Sequence, residues 1–167
     1  IAVMGNEEQK QRWLPGCARG DIMFAIGISE PGAGSGMTDM ITSATPDGDH
    51  IVLNGQKAYC TGGHLASHIF VFARWGKTQG PRGIGALVVE RGMKGFEVGH
   101  PDRKMGGRGM PEVELYFDHC RVPMQNVILA GDPDSTRSFK RLMSSFGPER
   151  VGISVLFLSV APAAEVS

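Results

Sequence analysis

Between Asp21 and Pro123 the sequence breaks into short apolar runs parted by Gly, Pro, Asp and Asn. The runs recur at intervals of about 8 to 12 residues, the rhythm of an all-β sandwich or barrel. They read "DIMFAIGI", "ITSAT", "HIVLNG", "QKAYCT", "HIFVFARW", "IGALVVER", "FEVGH" and "VELYFDHCRV". "ITSAT" and "HIVLNG" are joined by "PDGD", where Asp47-Gly48 supplies the positive φ of a tight turn, so a hairpin is expected there. "GKTQGPRG" is a loop by composition.

Helical patterns flank this region. In "GNEEQKQRWLPGCARGD", Asn6 is the expected N-cap, Gln9 closes a capping box, and Pro15 and Gly16 are the expected stop. After Pro123, Phe139, Leu142, Met143 and Phe146 fall at helical spacing, with Asp134 or Ser135 as candidate cap. "GPER" interrupts that helix and restarts it, and "VGISVLFLSV" is apolar nearly all round, as in a helix buried among others. That helix has no partners in this sequence, and the first residue is Ile1. The chain is therefore expected to be a piece of a larger protein.

Its 167 residues suffice for a domain with a real core. Seventeen Lys and Arg residues balance seventeen Asp and Glu residues, which leaves no electrostatic footprint for nucleic acid or an anionic membrane. No apolar run approaches the roughly 20 residues of a membrane span. Cys17, Cys60 and Cys120 are odd in number and form no CxxC pair, which points to reduced thiols in an intracellular compartment. His64, His68, His100 and His119 lack metal-ligand spacing, so no metal is expected.

The stretch "ISEPGAGSGM" raises a question of chemistry. Its glycines alternate at Gly32, Gly34 and Gly36, which fits neither the G-x-G-x-x-G dinucleotide fingerprint nor a P-loop. Taken alone, it also reads as a plain surface turn.

The stretch does not stand alone. "GNEEQKQRWLP", "ISEPGAGSG", "LNGQKAYCTGG", "KMGGRGMPEVELYFDHCRVP" and "FGPERVGI" follow in the order and spacing of an acyl-CoA dehydrogenase, and the chain resembles that family over nearly its whole length. The resemblance implies a mainly β fold, a middle β-barrel or sandwich flanked by a short N-terminal helix and the first helices of a C-terminal bundle, α+β overall. Residues 1–20 would end the N-terminal helical domain, 21–133 form the middle domain, and 134–167 begin the bundle. The implied activity is FAD-dependent α,β-dehydrogenation of an acyl-CoA in fatty-acid metabolism. The isolated chain is expected to be inactive. An acyl-CoA oxidase or flavin monooxygenase of the same fold is the alternative, as is a catalytically empty β-rich binding module. An electron-transferring flavoprotein as acceptor, a homodimer or homotetramer, and a bacterial cytoplasm or mitochondrial matrix are implied as well.

By the same resemblance, the 26–35 stretch contacts FAD through Ile26, Ile28, Ser29, Gly34 and Ser35, the glycines letting backbone approach a broad planar cofactor. Ser29, where the family usually has threonine, would offer its hydroxyl to the N1/O2 side of the flavin. Tyr59, Cys60 and Thr61 correspond to a Trp-Ile-Thr segment that covers the ring, although Tyr59 and Thr61 also read as ordinary strand residues. Cys60 alternates to the opposite face as a core residue. Ser35, Phe146 and Arg150 would border the acyl-CoA, and Gly36 and Gly147 stand where the family often has aspartate. Arg150 is equally readable as a structural ion-pair partner. Glu149, immediately before Arg150, matches the catalytic base of the isovaleryl-CoA and long-chain branches. The helix dipole alone would also favour a glutamate there. Burial would raise its pKa, while Arg150 and the helix N-terminus would lower it. Lys104 and Arg108 are assigned no chemical role.

Overall fold

The computed structural model describes residues 1–147 and 150–155. Helix α1 (Glu7–Arg19) opens on the expected capping box: the Asn6 side chain accepts from the Gln9 amide at 2.8 Å, and Gln9 Oε1 accepts from the Asn6 amide at 3.0 Å. The helix does not stop at Pro15, however, but runs on to Arg19. Proline removes only the bond to the Gln11 carbonyl, which lies on an exposed residue that water can serve. Gly16 serves packing: a Cβ there would sit 2.6 Å from the Ile22 side chain. The stop is Gly20, at φ +83°, whose amide closes the helix onto Cys17 and Gly16 carbonyls.

The strands are β1 (Phe24–Gly27), β2 (Ser43–Asp47), β3 (His50–Thr61), β4 (His68–Trp75), β5 (Ile84–Glu90), β6 (Phe96–Val98), β7 (Glu112–Pro123) and β8 (Val127–Leu129). They form one sheet in the order β6-β7-β3-β2-β4-β5-β8, with β1 paired to β4 beside β2. Most pairs are antiparallel; β1 and β2 both run parallel to β4. The β2/β3 hairpin turns at Gly48, φ +61°.

"HIVLNG" and "QKAYCT" are a single strand rather than two. Asn54-Gly55 marks an irregularity inside β3: Gly55 sits at φ +141°, and a Cβ would strike the Thr42 backbone at 2.7 Å. Strand β8 carried no expectation, since three residues after a short 3-10 turn (Met124–Asn126) are too few for periodicity to register.

The sheet curls so that β3 and β7 face β4 and β5 across one core containing Leu53, Ile69, Val71, Leu87, Val113 and Leu115. The opposite face of β4 and β5 is also buried, which explains their nearly continuous apolar sequences. There Trp13 of α1 packs on Val88 and Ile128. Leu142 of α2 (Arg137–Ser144) packs on Phe72, Ile84 and Ala86, with Phe139, Met143 and Phe146 around it as their spacing predicts. At the start of α2 the cap residue is Thr136, and the Ser135 hydroxyl accepts from the Arg137 amide at 3.1 Å; Asp134 takes no part. The fold is thus mainly β with helices at its flanks. Among the described residues no helix is long and apolar enough to cross a membrane.

Candidate functional site

Strand β1 leads into the glycine-rich stretch, and β3 ends in "AYCT", so the fold decides whether the two meet. They do: the Ala58 amide donates to the Ser29 carbonyl at 2.8 Å. Further along, a Cβ on Gly62 would lie 3.1 Å from the Met23 side chain, so the segments stay side by side.

The bond has a structural cause. The β3–β7 register slips between Lys57 and Cys60, and this bulge frees Ala58 to pair with Ser29. Within it Tyr59 takes φ +57°, a left-handed conformation that costs a tyrosine about 1–2 kcal/mol. The ring is delivered to the surface, 65% exposed, while its neighbour Cys60 is fully buried. Burial pushes the Cys60 thiol up to about 11, so Cys60 is a core residue that offers the site only its backbone. Thr61 is exposed at the strand end.

On the β1 side Ile26 is 43% exposed between the buried Ala25 and Gly27, and Ile28 and Ser29 are half-buried. The chain then makes a tight turn in which Glu30 and Ala33 exchange amide-to-carbonyl bonds at 2.9 and 3.0 Å. Gly34 and Ser35 follow, both exposed. Gly32 and Gly34 have no positive φ, and a Cβ on either would meet nothing within 4 Å. The fold itself does not require glycine at either position.

Phe146 reaches the other side of β1. With Phe24, Ile26, Phe70, Phe72 and the N-terminal Ile1 it lines an apolar cleft of about 280 Å³, its ring 6.0 Å from that of Phe72. Ile26 and Phe146, assigned above to cofactor and substrate, therefore share a wall. Arg150 is exposed in a helical segment, residues 150–155. Glu149 lies outside the described residues, as does the second half of "VGISVLFLSV". Among the described residues no group of three or more His, Cys, Asp and Glu side chains could hold a metal ion.

Two residues of this site carried no expectation. Lys57 and Glu30 form a buried ion pair, Nζ to Oε1 at 2.7 Å, directly beneath the stretch. Burial would raise the Glu30 carboxyl, but Lys57, the Ile41 amide and the Thr42 side chain hold it below its ordinary value. For Lys57 burial wins: the ammonium falls to about 8 despite the opposing pull of Glu30, with Arg74 lowering it further. The parity of β3 carried the signal. Ile51, Leu53 and Lys57 are all odd-numbered positions that turn inward, and a buried lysine needs a carboxylate.

Residues 25–120 match the middle domain of acyl-CoA dehydrogenases. The chain belongs to the acyl-CoA dehydrogenase family. It is 36% identical over 160 residues to the short-chain-specific acyl-CoA dehydrogenase of Clostridium acetobutylicum, covering 96% of this chain and 41% of that protein. The solved butyryl-CoA dehydrogenase of Megasphaera elsdenii superposes with a TM-score of 0.88 at 34% identity, over 98% of this chain and 42% of that one. A chain in the solved structure of the electron transferring flavoprotein of Acidaminococcus fermentans matches equally well, at TM-score 0.88 and 38% identity, with the same coverage of 98% and 42%. The chain thus spans about two fifths of the length of the relatives it matches.

Proposed function

We propose that the full-length protein is an FAD-dependent acyl-CoA dehydrogenase, which removes the α-proton and the β-hydrogen of an acyl-CoA thioester to leave a double bond. The observation behind this reading is the junction of the Ser29 and Tyr59–Thr61 segments, the first of which runs on into Gly32 and Gly34, glycines that the fold does not itself need. Bare backbone on one of the two joined segments and an exposed aromatic on the other are what a broad planar cofactor would need. When bound, FAD supplies the acceptor for the β-hydrogen as hydride.

This chain's residues then take the following parts. Ile26, Ile28, Gly34 and Ser35 line the approach, and the Cys60 backbone continues the floor between Tyr59 and Thr61. The hydroxyls of Ser29 and Thr61 donate to the flavin edge, and a fixed donor counts most where charge develops. Tyr59 covers one face and excludes water. Phe146, Ser35 and Arg150 border the thioester and the CoA, and the Glu149 carboxylate takes the α-proton. The family and the names of the matched relatives support acyl-CoA as substrate and an electron-transferring flavoprotein as the next carrier. A homodimer or homotetramer in a bacterial cytoplasm or mitochondrial matrix completes the reading. Within it, residues 1–20 end an N-terminal helical domain, 21–133 are the middle domain and 134–167 start the C-terminal bundle.

Tyr59 provides the test. Because its conformation suits glycine and its ring is exposed, Tyr59→Gly should leave the unfolding midpoint of the full-length apoprotein unchanged, or raise its stability by up to about 1 kcal/mol. Loss of the aromatic cover should weaken FAD binding about tenfold in a fluorescence titration. Undiminished FAD affinity would remove Tyr59 from the site, and a full-length protein that takes up no FAD would remove the function.

A further inference from the structure

Lys57 and Glu30 are buried charges for which the proposed chemistry has no use, and their bonds converge on one place. Lys57 Nζ donates to Glu30 Oε1 at 2.7 Å and to the Ile28 carbonyl at 3.0 Å. The next residue, Ala58, holds the Ser29 carbonyl. The Glu30 carboxylate in turn accepts from the Ile41 amide at 2.7 Å and the Thr42 amide at 3.0 Å, which fixes the far end of the glycine-rich stretch. Arg74 secures the same end, donating to the Thr38 carbonyl at 2.6 Å and the Met40 carbonyl at 3.0 Å. The backbone from Ile28 to Glu30 is therefore pinned from beneath by one charged pair.

As a stabiliser of the fold this pair is a poor choice. Both side chains are almost fully out of water, at 0% and 3% exposure. Buried ion pairs are often replaceable by neutral residues of similar volume without loss of stability. The depressed Lys57 ammonium says the same, because its burial outweighs the attraction of Glu30. What a neutral pair would not reproduce is a charge-assisted donor aimed at the Ile28 carbonyl.

We propose that Glu30 and Lys57 are positioning residues, an ion pair that holds the Ile28–Ser29 backbone and the Ser29 hydroxyl against the flavin edge and so sets flavin affinity without touching the flavin. The proposal rests on the FAD reading above. It separates two properties that a merely structural role would keep together.

The experiment uses the full-length protein with Lys57→Met and Glu30→Gln combined, so that neither charge is left unpaired. Urea unfolding of the apoprotein, titration with FAD and the visible spectrum of bound flavin are compared with wild type. The expected result is a wild-type unfolding midpoint, an FAD dissociation constant raised about tenfold or more, as for loss of one charge-assisted hydrogen bond, and a shifted flavin band. A folded double variant with wild-type affinity and spectrum overturns the proposal. If the double variant does not fold, Glu30→Gln alone is titrated under conditions where urea unfolding shows its apoprotein fully folded: weakened FAD binding with a shifted flavin band supports the pair's role, and unchanged binding and spectrum end it. A wild-type protein that binds no FAD refutes the functional reading itself, an outcome visible before any variant is compared.

Discussion

Glu149→Gln in the full-length protein should slow flavin reduction by acyl-CoA by about two to four orders of magnitude, the usual contribution of a positioned general base. Glutamine keeps the shape of the side chain and cannot take the α-proton. FAD binding should be unaffected, which separates loss of the base from loss of the site. Glu149 itself lies outside the described residues, and its sequence neighbours Phe146 and Arg150 are described. In the sequence Glu149 stands three positions after Phe146 and immediately before Arg150. Phe146 lines the apolar cleft together with Ile26, the residue of β1 assigned to the cofactor. The check is stopped-flow mixing under anaerobic conditions. A rate within a few-fold of wild type would move the base to a residue beyond this chain.

A second large effect is expected in stability. Lys57→Met alone removes one partner of a fully buried pair and strands the Glu30 carboxylate, which should cost about 3–5 kcal/mol in urea unfolding at neutral pH. The pH dependence has a definite sign. In the folded protein Lys57 titrates at about 8 against an ordinary 10.5, so between those values the unfolded chain holds the proton that the native state has released. The unfolded state binds more protons there, and the Lys57 contribution to stability rises with pH across that window. Below about pH 8 both states hold the proton, and the cost of burying the ammonium is carried in full. Lys57→Met should abolish that rise. A variant as stable as wild type, with the same pH profile, would mean that the pair is not buried as described.

Short-range rules made much of this fold legible. The Asn6–Gln9 capping box, the Gly48 turn and the apolar face of α2 each depend on residues within a few positions of one another, which a single sequence displays directly. Reading failed where packing overrode a local signal. Pro15 and Gly16 look like a helix stop, but α1 is held on the sheet by Trp13 and continues past them. Asn54-Gly55 looks like a turn, but the glycine is there because the Thr42 backbone presses on it.

The candidate site follows the same division. The resemblance supplied Ser29, Tyr59 and Thr61 as names, and the fold brings their two segments together through hydrogen bonds from the Ala58 amide to Ser29 and from Lys57 to Ile28. The left-handed turn at Tyr59 was invisible because nothing in a tyrosine's identity announces positive φ. Glu30 and Lys57 stand 27 positions apart, so their pairing became evident only when β3 lay beneath the stretch that follows β1.

In the function proposed above, this β-domain presents a flavin to an acyl-CoA. The most direct measurement is to load the full-length protein with FAD and mix it anaerobically with acyl-CoA thioesters of several chain lengths, following the flavin's visible absorbance. The expected result is uptake of FAD and loss of that absorbance with at least one thioester, with the matching enoyl-CoA as product. A protein that takes up no FAD, or whose bound flavin keeps its absorbance with every thioester offered, would contradict it.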